Sequence, residues 1–147
     1  MTTGAWILLA SLGLVAAVGL WRAYADGRFT GTHPIDTAAG DRDPTPVELV
    51  GSLDGQLGER ATLLQFSSAF CAPCRATRRV LADVAAAVPG VTHVEIDAEH
   101  HLDLVRRVGV LRTPTTLVLD GRGQEITRAA GAPRKEQVLS ALAGIEA

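Results

Sequence analysis

The sequence predicts an α/β domain, in which helices flank a central mixed sheet, behind an N-terminal helix that spans a membrane. Three observations support this prediction. The first 21 of the 147 residues carry no charged side chain. Beyond residue 46, apolar runs of strand length alternate with helical segments, which is typical of a parallel sheet covered by helices. Asp120-Gly121 lies between two strand-like runs and predicts a hairpin, which adds an antiparallel edge.

Residues 1–24 are predicted to form a transmembrane anchor. The 20 residues from Ala5 to Tyr24 span about 30 Å as a helix, the hydrocarbon thickness of a bilayer. A cleaved signal peptide is the first alternative, because Ala23-Tyr24-Ala25 offers a small-x-small site. It is disfavoured because no basic side chain precedes the apolar run. A buried core helix is the second alternative.

The flanking charges predict the orientation of this anchor. Arg22 and Arg28 follow the apolar run, whereas no basic side chain precedes it. The positive-inside rule therefore places the C-terminal domain in the cytoplasm. Residues 25–46 are rich in Gly, Pro, Asp and Thr without an apolar period, and they predict a flexible linker. The domain itself is predicted over residues 47–147.

The first half of the domain contains two predicted strands and a helix. PVELV (46–50) is a short strand candidate, and ATLLQFSS (61–68) is an apolar run suited to a central strand covered on both faces. Residues 71–88 favour a helix, because apolar side chains recur at helical spacing towards its end. Pro89-Gly90 ends that helix.

The second half continues the alternation of strands and helices. VTHVEID (91–97) predicts a second parallel strand, and AEHHLDLVRRVGV (98–110) predicts a short helix with apolar residues at three-residue steps. RTPTTLVLD (112–120) and QEITRAAG (124–131) are the strands on either side of the hairpin turn. PRKEQVLSALAGI (133–145) predicts a C-terminal amphipathic helix.

Both cysteines of the chain, Cys71 and Cys74, lie at the junction between a predicted strand and a predicted helix. The unpaired N–H groups and the dipole of a helix N-terminus stabilise a thiolate, so Cys71 is predicted to be a nucleophile. Cys74 lies one helical turn further on the same side and can close a disulfide with it. Pro73 fits the first turn, where a missing N–H costs nothing.

The sequence F-C-A-P-C at a strand-to-helix junction, with Thr113-Pro114 before a later strand, resembles the thioredoxin family. The resemblance covers roughly residues 47–147 and implies a thioredoxin-like fold. In that family the proline is cis and lies against the active-site disulfide, a role that Pro114 would take here. The backbone of Thr113 would pair with an extended substrate segment. Gly131 resembles the family's glycine near the substrate groove.

The resemblance implies a membrane-tethered thiol–disulfide oxidoreductase that reduces or exchanges protein disulfides. Cys71 attacks a substrate disulfide, and Cys74 then attacks the mixed disulfide and releases the reduced substrate. No cofactor is expected beyond the redox-active pair itself. The expected partners are client proteins with disulfides, an upstream reductase that the sequence does not identify, and the membrane. A net charge of −2 speaks against a nucleic-acid partner.

The chain departs from the family pattern around the cysteines. Phe70 replaces the usual Trp before the first cysteine and is expected to keep the apolar cover. Ala72-Pro73 replaces the Gly-Pro that is typical of reducing members, and it can tune the redox potential. Gln65 occupies the position of a buried Asp that moves the proton of the second cysteine.

His93 occupies the position of the Lys that usually pairs with this Asp. A Gln65–His93 hydrogen bond is expected, because both charged partners are replaced together. Our hypothesis is that His93, directly or through a water, accepts the proton of Cys74. The alternative is a hydrogen-bonded histidine with a structural role.

Three other functions stay open. One C-x-x-C pair can hold a soft metal, so a copper-delivery module or a redox-inert binding module of the same fold is an alternative. Two cysteines supply only half of a zinc site. An extracytoplasmic domain would instead indicate a thiol reductase for cytochrome c maturation. Such relatives usually carry an insertion after the first helix, where only Pro89-Gly90 is found here.

Overall fold

Alternating apolar runs become one mixed sheet with helices on both faces. The structure, a computed structural model, describes residues 3–31 and 57–145. Its strands are β1 (Phe29–Gly31), β2 (Ala61–Ser67), β3 (Val91–Asp97), β4 (Thr115–Asp120) and β5 (Glu125–Ala130). Its helices are α1 (Thr3–Ala25), α2 (Ala72–Ala87), α3 (Leu102–Val108) and α4 (Lys135–Ala143).

The strand order in the sheet is β1-β5-β4-β2-β3. Within the described ranges, β2 and β3 pair in parallel, and the other three strand pairs are antiparallel. The expected mixed sheet is therefore confirmed, but its parallel part is limited to one pair. The physical reason is the length of α3: seven residues rise about 10 Å, whereas a seven-residue strand spans about 23 Å. By itself α3 is too short to return the chain to the start of the sheet, so β4 runs antiparallel to β2.

Strand β2 is buried along its whole length, as expected for a strand covered on both faces. Its side chains alternate between two apolar cores. Leu64 and Phe66 pack in the core beneath α3, whereas Leu63 packs in the core beneath α2 and α4. Gln65 lies on the same face as Leu63 because strand side chains alternate, and it therefore points towards α2.

Helix α1 leaves its side chains in solvent rather than in a core. From Gly4 to Ala25 it is long and apolar enough to cross a membrane, and none of that stretch is buried. Every described side chain of the helix is exposed, including those of Trp6 and Trp21. The helix therefore has the length and composition of a membrane span.

The predicted linker differs from the structure at its N-terminal end. Residues 29–31 form the edge strand β1, which pairs antiparallel with β5. The edge of β5 presents unpaired N–H and C=O groups that a short strand can satisfy. A three-residue strand is too short to show an apolar period, so the composition of the segment suggested a linker. Ala25, also predicted as linker, is the last residue of α1. Residues 32–46 of the predicted linker and the predicted strand over 46–50 lie outside the described residues.

Candidate active site

The two cysteines form a disulfide where β2 passes into α2. Their Cα atoms are 5.2 Å apart. Cys71 is the N-cap residue of α2, and its sulfur accepts the backbone N–H of Cys74 at 3.1 Å. Cys71 is half-buried, whereas Cys74 is only 2% exposed. A sulfur atom of another molecule can therefore approach Cys71 more readily than Cys74.

The first turn of α2 supports negative charge at Cys71. Ala72 and Pro73 are its first two residues, so the proline removes an N–H that would have no helical partner. The carbonyl of Cys71 accepts the N–H groups of Cys74 and Arg75, at 3.1 and 3.4 Å. A thiolate at Cys71 would lie at the positive end of the helix dipole with a backbone donor beside it.

The loop before β4 brings the predicted substrate-binding residues to the disulfide. The Thr113–Pro114 peptide bond is cis. The Thr113 hydroxyl and the Ser68 hydroxyl are 3.0 Å apart, and the carbonyl of Pro114 accepts the N–H of Gly131 at 2.8 Å. Thr113, Pro114 and Gly131 line one groove of about 400 Å³ together with Pro73 of α2.

The lining of this groove also includes the C-terminal end of α1 and the residue that follows it, which sequence reasoning did not anticipate. Ala23 and Asp26 line it together with Arg112, which directly precedes Thr113 in the chain. An oxygen of Asp26 is 3.0 Å from a guanidinium nitrogen of Arg112, which also donates to the carbonyl of Ala130 at 2.7 Å. No local pattern marks Asp26, because its partner is 86 positions away in the sequence.

Beneath Cys74 lies the hydrogen bond that the two family departures predict. The Gln65 side chain is fully buried, and its amide nitrogen donates to the backbone carbonyl of Cys74 at 3.0 Å. Its amide oxygen is 3.2 Å from Nε2 of His93. Because that oxygen can only accept, Nε2 carries the hydrogen, and Nδ1 is the basic atom of the neutral ring.

The surroundings of His93 keep its ring neutral near pH 7. Burial lowers the pKa of His93, and the charge of Arg78 lowers it further, whereas the charge of Glu95 raises it. Arg78 and Glu95 pair through two contacts of 2.7 and 2.6 Å, so their effects on His93 partly cancel. Burial is the largest of the three causes.

Two further hydroxyls belong to this polar layer. Thr77 lies one turn after Cys74 on the buried side of α2, and Thr116 is the register partner of Gln65 on β4. Both hydroxyls are buried, and neither has a hydrogen-bond partner among the described residues. The helical spacing of Thr77 from Cys74 is a sequence signal that could have identified it.

A second cleft, of about 420 Å³, opens on the other side of the disulfide. Charged groups from α2 and β3 line it together with both cysteines, namely Arg75, Arg78, Glu95 and Asp97. The backbone N–H of Glu99 and the ring of His100 lower the pKa of Asp97, so it stays ionised. This side of the disulfide is polar and carries both signs of charge.

The expected apolar cover from Phe70 is absent in this structure. Phe70 is 99% exposed because it lies in the turn before α2, where none of the residues that the structure describes packs on it. Leu111, just before the cis-proline loop, is 97% exposed. Two large apolar side chains thus project from the two segments that the Ser68–Thr113 hydrogen bond joins.

Residues that could hold a metal are few around this site. Over residues 3–31 and 57–145, no three side chains of His, Cys, Asp or Glu come together in a cluster that could hold a metal ion. A metal-carrying role would therefore depend on Cys71 and Cys74 themselves, within the part of the chain that the structure describes.

Comparison with known proteins agrees with the fold and the cysteine motif. The family model Thioredoxin matches residues 53–144. Thioredoxin from Alicyclobacillus acidocaldarius subsp. acidocaldarius is 28% identical over 89 residues, which cover 60% of this chain and 84% of that protein. Thioredoxin H-type 1 from Nicotiana tabacum is 27% identical over 78 residues, 53% of this chain and 61% of that protein. The crystal structure of the thioredoxin NaTrxh from Nicotiana alata superposes with a TM-score of 0.55 at 25% identity, covering 74% of this chain and all of that one.

Proposed function

This chain belongs to the thioredoxin family, and on that premise we propose that it is a membrane-tethered reductase of protein disulfides. The family and the C-x-x-C disulfide support a thiol–disulfide oxidoreductase role. One observation supports Cys71 as the attacking group. Its sulfur caps α2, whereas Cys74 is buried behind it. The tether is supported by the length and apolar composition of α1.

The reaction transfers two electrons from the dithiol to a client disulfide. The Cys71 thiolate attacks one client sulfur, the client S–S bond breaks, and the second client sulfur leaves as a thiolate that takes up a proton. Cys74 then loses its proton and attacks the sulfur of Cys71 in the mixed disulfide. The client leaves with two thiols, and Cys71 and Cys74 form the disulfide seen here. A separate dithiol reductase would return the pair to its reduced form.

The proton of Cys74 is assigned to His93 within this proposal. The Gln65 side chain is an amide rather than a carboxylate, and it cannot accept a proton at neutral pH. It orients His93 by accepting the Nε2 hydrogen. The proton of Cys74 is therefore taken up at Nδ1, and a water carries it where the Cys74 sulfur and the His93 ring are not in contact. Neutral His93 is the competent form, and the direction of its pKa shift favours that form.

Trapping the mixed disulfide tests the proposal directly. Cys74→Ser removes the attacking sulfur of the second step, so client proteins should remain linked to Cys71 and should be released by dithiothreitol. Cys71→Ser is the matched control and should capture none of them. If Cys74→Ser captures no client and the purified wild-type domain binds one copper ion per molecule, the metal carrier is the better assignment.

The tether and its orientation need a separate measurement. Whole-protein mass from the membrane fraction should match the uncleaved chain, because a signal peptide cut after Ala25 would remove α1. A membrane-impermeant thiol reagent should label Cys71 only after lysis if the domain faces the cytoplasm. Labelling in intact cells would contradict the cytoplasmic orientation and favour an extracytoplasmic thiol reductase.

A further inference from the structure

We propose that the end of α1 is a fixed wall of the client groove, so that the groove opens at the membrane surface. The clients would then be extended, disulfide-bearing segments that directly adjoin the spans of other membrane proteins. This inference rests on the proposed function, because it takes α1 as a membrane span and Cys71 as the attacking group. It specifies where the client disulfide lies.

The first support is the short, ordered connection between α1 and the sheet. Only Asp26, Gly27 and Arg28 separate the helix from β1, which pairs with β5 at three register positions. The N–H of Gly27 donates to the carbonyl of Ala130 at 3.0 Å. The helix therefore ends beside the strand that leads into Gly131 of the groove, rather than on a long tether.

Close backbone contact holds the two parts together. Gly27 and Gly131 both have positive φ angles, 74° and 102°. A Cβ on Gly27 would lie 2.2 Å from the carbonyl oxygen of Ala132, and a Cβ on Gly131 would lie 2.9 Å from the nitrogen of Gly27. Only glycines allow this approach. The substrate-groove glycine and the end of α1 are thus in direct contact.

The second support is the ion pair that crosses this junction. Arg112 contacts Asp26 on one side and the carbonyl of Ala130 on the other. It directly precedes Thr113, whose backbone is the predicted pairing edge for a client. A client strand beside Thr113 would therefore run next to Ala23 of α1 and next to Asp26, which follows the helix.

The third support is the depth at which this groove would lie. Trp21 and Tyr24 are exposed near the C-terminal end of the helix, and Arg28 lies over the Tyr24 ring at 5.2 Å. In a bilayer such aromatic and basic residues favour the interface. Ala23, which lines the groove, lies within one helical turn of both aromatic residues, about 5 Å along the axis.

A groove at the membrane surface limits which proteins can bring a disulfide to Cys71. A folded soluble protein would have to press its disulfide against the bilayer surface to reach Cys71. A chain that leaves the bilayer nearby already lies at the level of Thr113. The exposed side chains of Phe70 and Leu111 beside the groove offer apolar contacts to the residues with which such a segment leaves its span. We therefore assign the groove to juxtamembrane segments.

The test compares two membrane reporters in one vesicle preparation of phosphatidylcholine with phosphatidylglycerol. Each reporter is a single-span peptide with a disulfide-closed loop. The loop begins about three residues after the span in the near reporter. In the far reporter it follows a Gly/Ser spacer of about 40 residues, with an r.m.s. span of about 35 Å. The full-length protein is pre-reduced and studied in a single turnover, so no reductase is needed. Rates are normalised to reaction with a small soluble aromatic disulfide.

An insertion separates fixed from flexible attachment. A Gly/Ser segment of about 20 residues between Ala25 and Asp26 gives the domain a flexible reach of about 25 Å. The near-to-far rate ratio should be well above one in the parent and should fall about fivefold in the insertion variant. The same segment appended after Ala147 controls for added chain. Asp26→Lys, which sets a cation against Arg112, should lower the ratio, and Asp103→Lys on α3 is its matched control.

The outcomes distinguish this inference from the proposed function. The juxtamembrane assignment is overturned if the near-to-far rate ratio is near one in the parent, or if the insertion leaves that ratio unchanged. In either case, reduction of the reporters still supports the reductase proposal. If the parent inserts into the vesicles but reduces neither the reporters nor the soluble disulfide, the reductase proposal itself is wrong.

Discussion

The side-chain amide of Gln65 donates to the backbone carbonyl of Cys74 at 3.0 Å, so the buried cysteine is supported from below by a neutral group. The same amide accepts a hydrogen from His93. A carboxylate would carry charge into this buried layer at a cost in desolvation, whereas an amide carries none. The layer therefore positions Cys74 without a buried charge, and our proposal assigns the proton of Cys74 to the histidine at the edge of the layer.

Removal of the Gln65 side chain should destabilise the domain. Gln65→Ala breaks both hydrogen bonds and leaves a cavity under α2, so the free energy of unfolding should fall by about 2–4 kcal/mol. Urea denaturation of the oxidised protein measures this. Gln124→Ala, at an exposed position in the hairpin, is the matched control and should stay within about 0.5 kcal/mol of the parent. Equal stabilities of the two variants would contradict the structural role of the amide.

The pH dependence of stability should carry a contribution from His93. Burial lowers the folded-state pKa of His93 from the ordinary histidine value of 6.5, so the unfolded chain binds more protons between the two pKa values. This contribution is complete above about pH 6.5 and is lost as the pH falls from there to the folded-state pKa. His93→Gln should flatten the stability profile in that window, as measured by denaturation at several pH values. His101→Gln controls for the loss of an imidazole, and an unchanged profile in His93→Gln would count against the prediction.

The Arg78–Glu95 pair should tune His93 in opposite directions. Arg78→Gln removes a charge that lowers the pKa of His93, so that pKa should rise. Glu95→Gln removes a charge that raises it, so the pKa of His93 should fall further. Titration of the His93 ring by NMR in the oxidised domain measures both shifts. Shifts of the same sign in the two variants would show that the pair does not act on His93 through charge.

Release of the mixed disulfide should depend on His93. If the ring accepts the proton of Cys74, His93→Ala should slow release by about tenfold or more and should change its pH profile. Stopped-flow reaction with a peptide disulfide separates this step from the attack by Cys71, which should keep its rate. Added imidazole should restore part of the release rate. An unchanged release rate and pH profile in His93→Ala would leave His93 with a structural role alone.

Sequence patterns predicted the strands next to the cysteines to within one residue of their observed ends. β3 has the predicted bounds, 91–97, and β2 is one residue shorter than predicted. These segments are strongly apolar and end at clear turn signals, so local chemistry decides them. The strand predicted over 112–120 begins three residues later, at Thr115. The residues before it form the loop that contains the Thr113–Pro114 bond.

Long-range contacts decided the direction of β4, the pairing of β1 and the exposure of Phe70, which local sequence patterns do not determine. The direction of β4 depends on where the chain leaves α3, and the pairing of β1 depends on a free edge of β5. Phe70 was expected to cover the disulfide, but whether a side chain is covered depends on what packs above it. Nothing in the described ranges packs on Phe70.

The amino-acid sequence by itself determined the family, the cysteine pair and the replacement of two charged residues by Gln65 and His93, because each depends on residue type at a fixed spacing. Only the tertiary structure decided that the end of α1 lines the same groove as Thr113 and Pro114. That arrangement depends on Asp26 meeting Arg112 and on Gly27 meeting Gly131. The members of these pairs are 86 and 104 positions apart along the chain, and only folding of the chain brings such residues into contact.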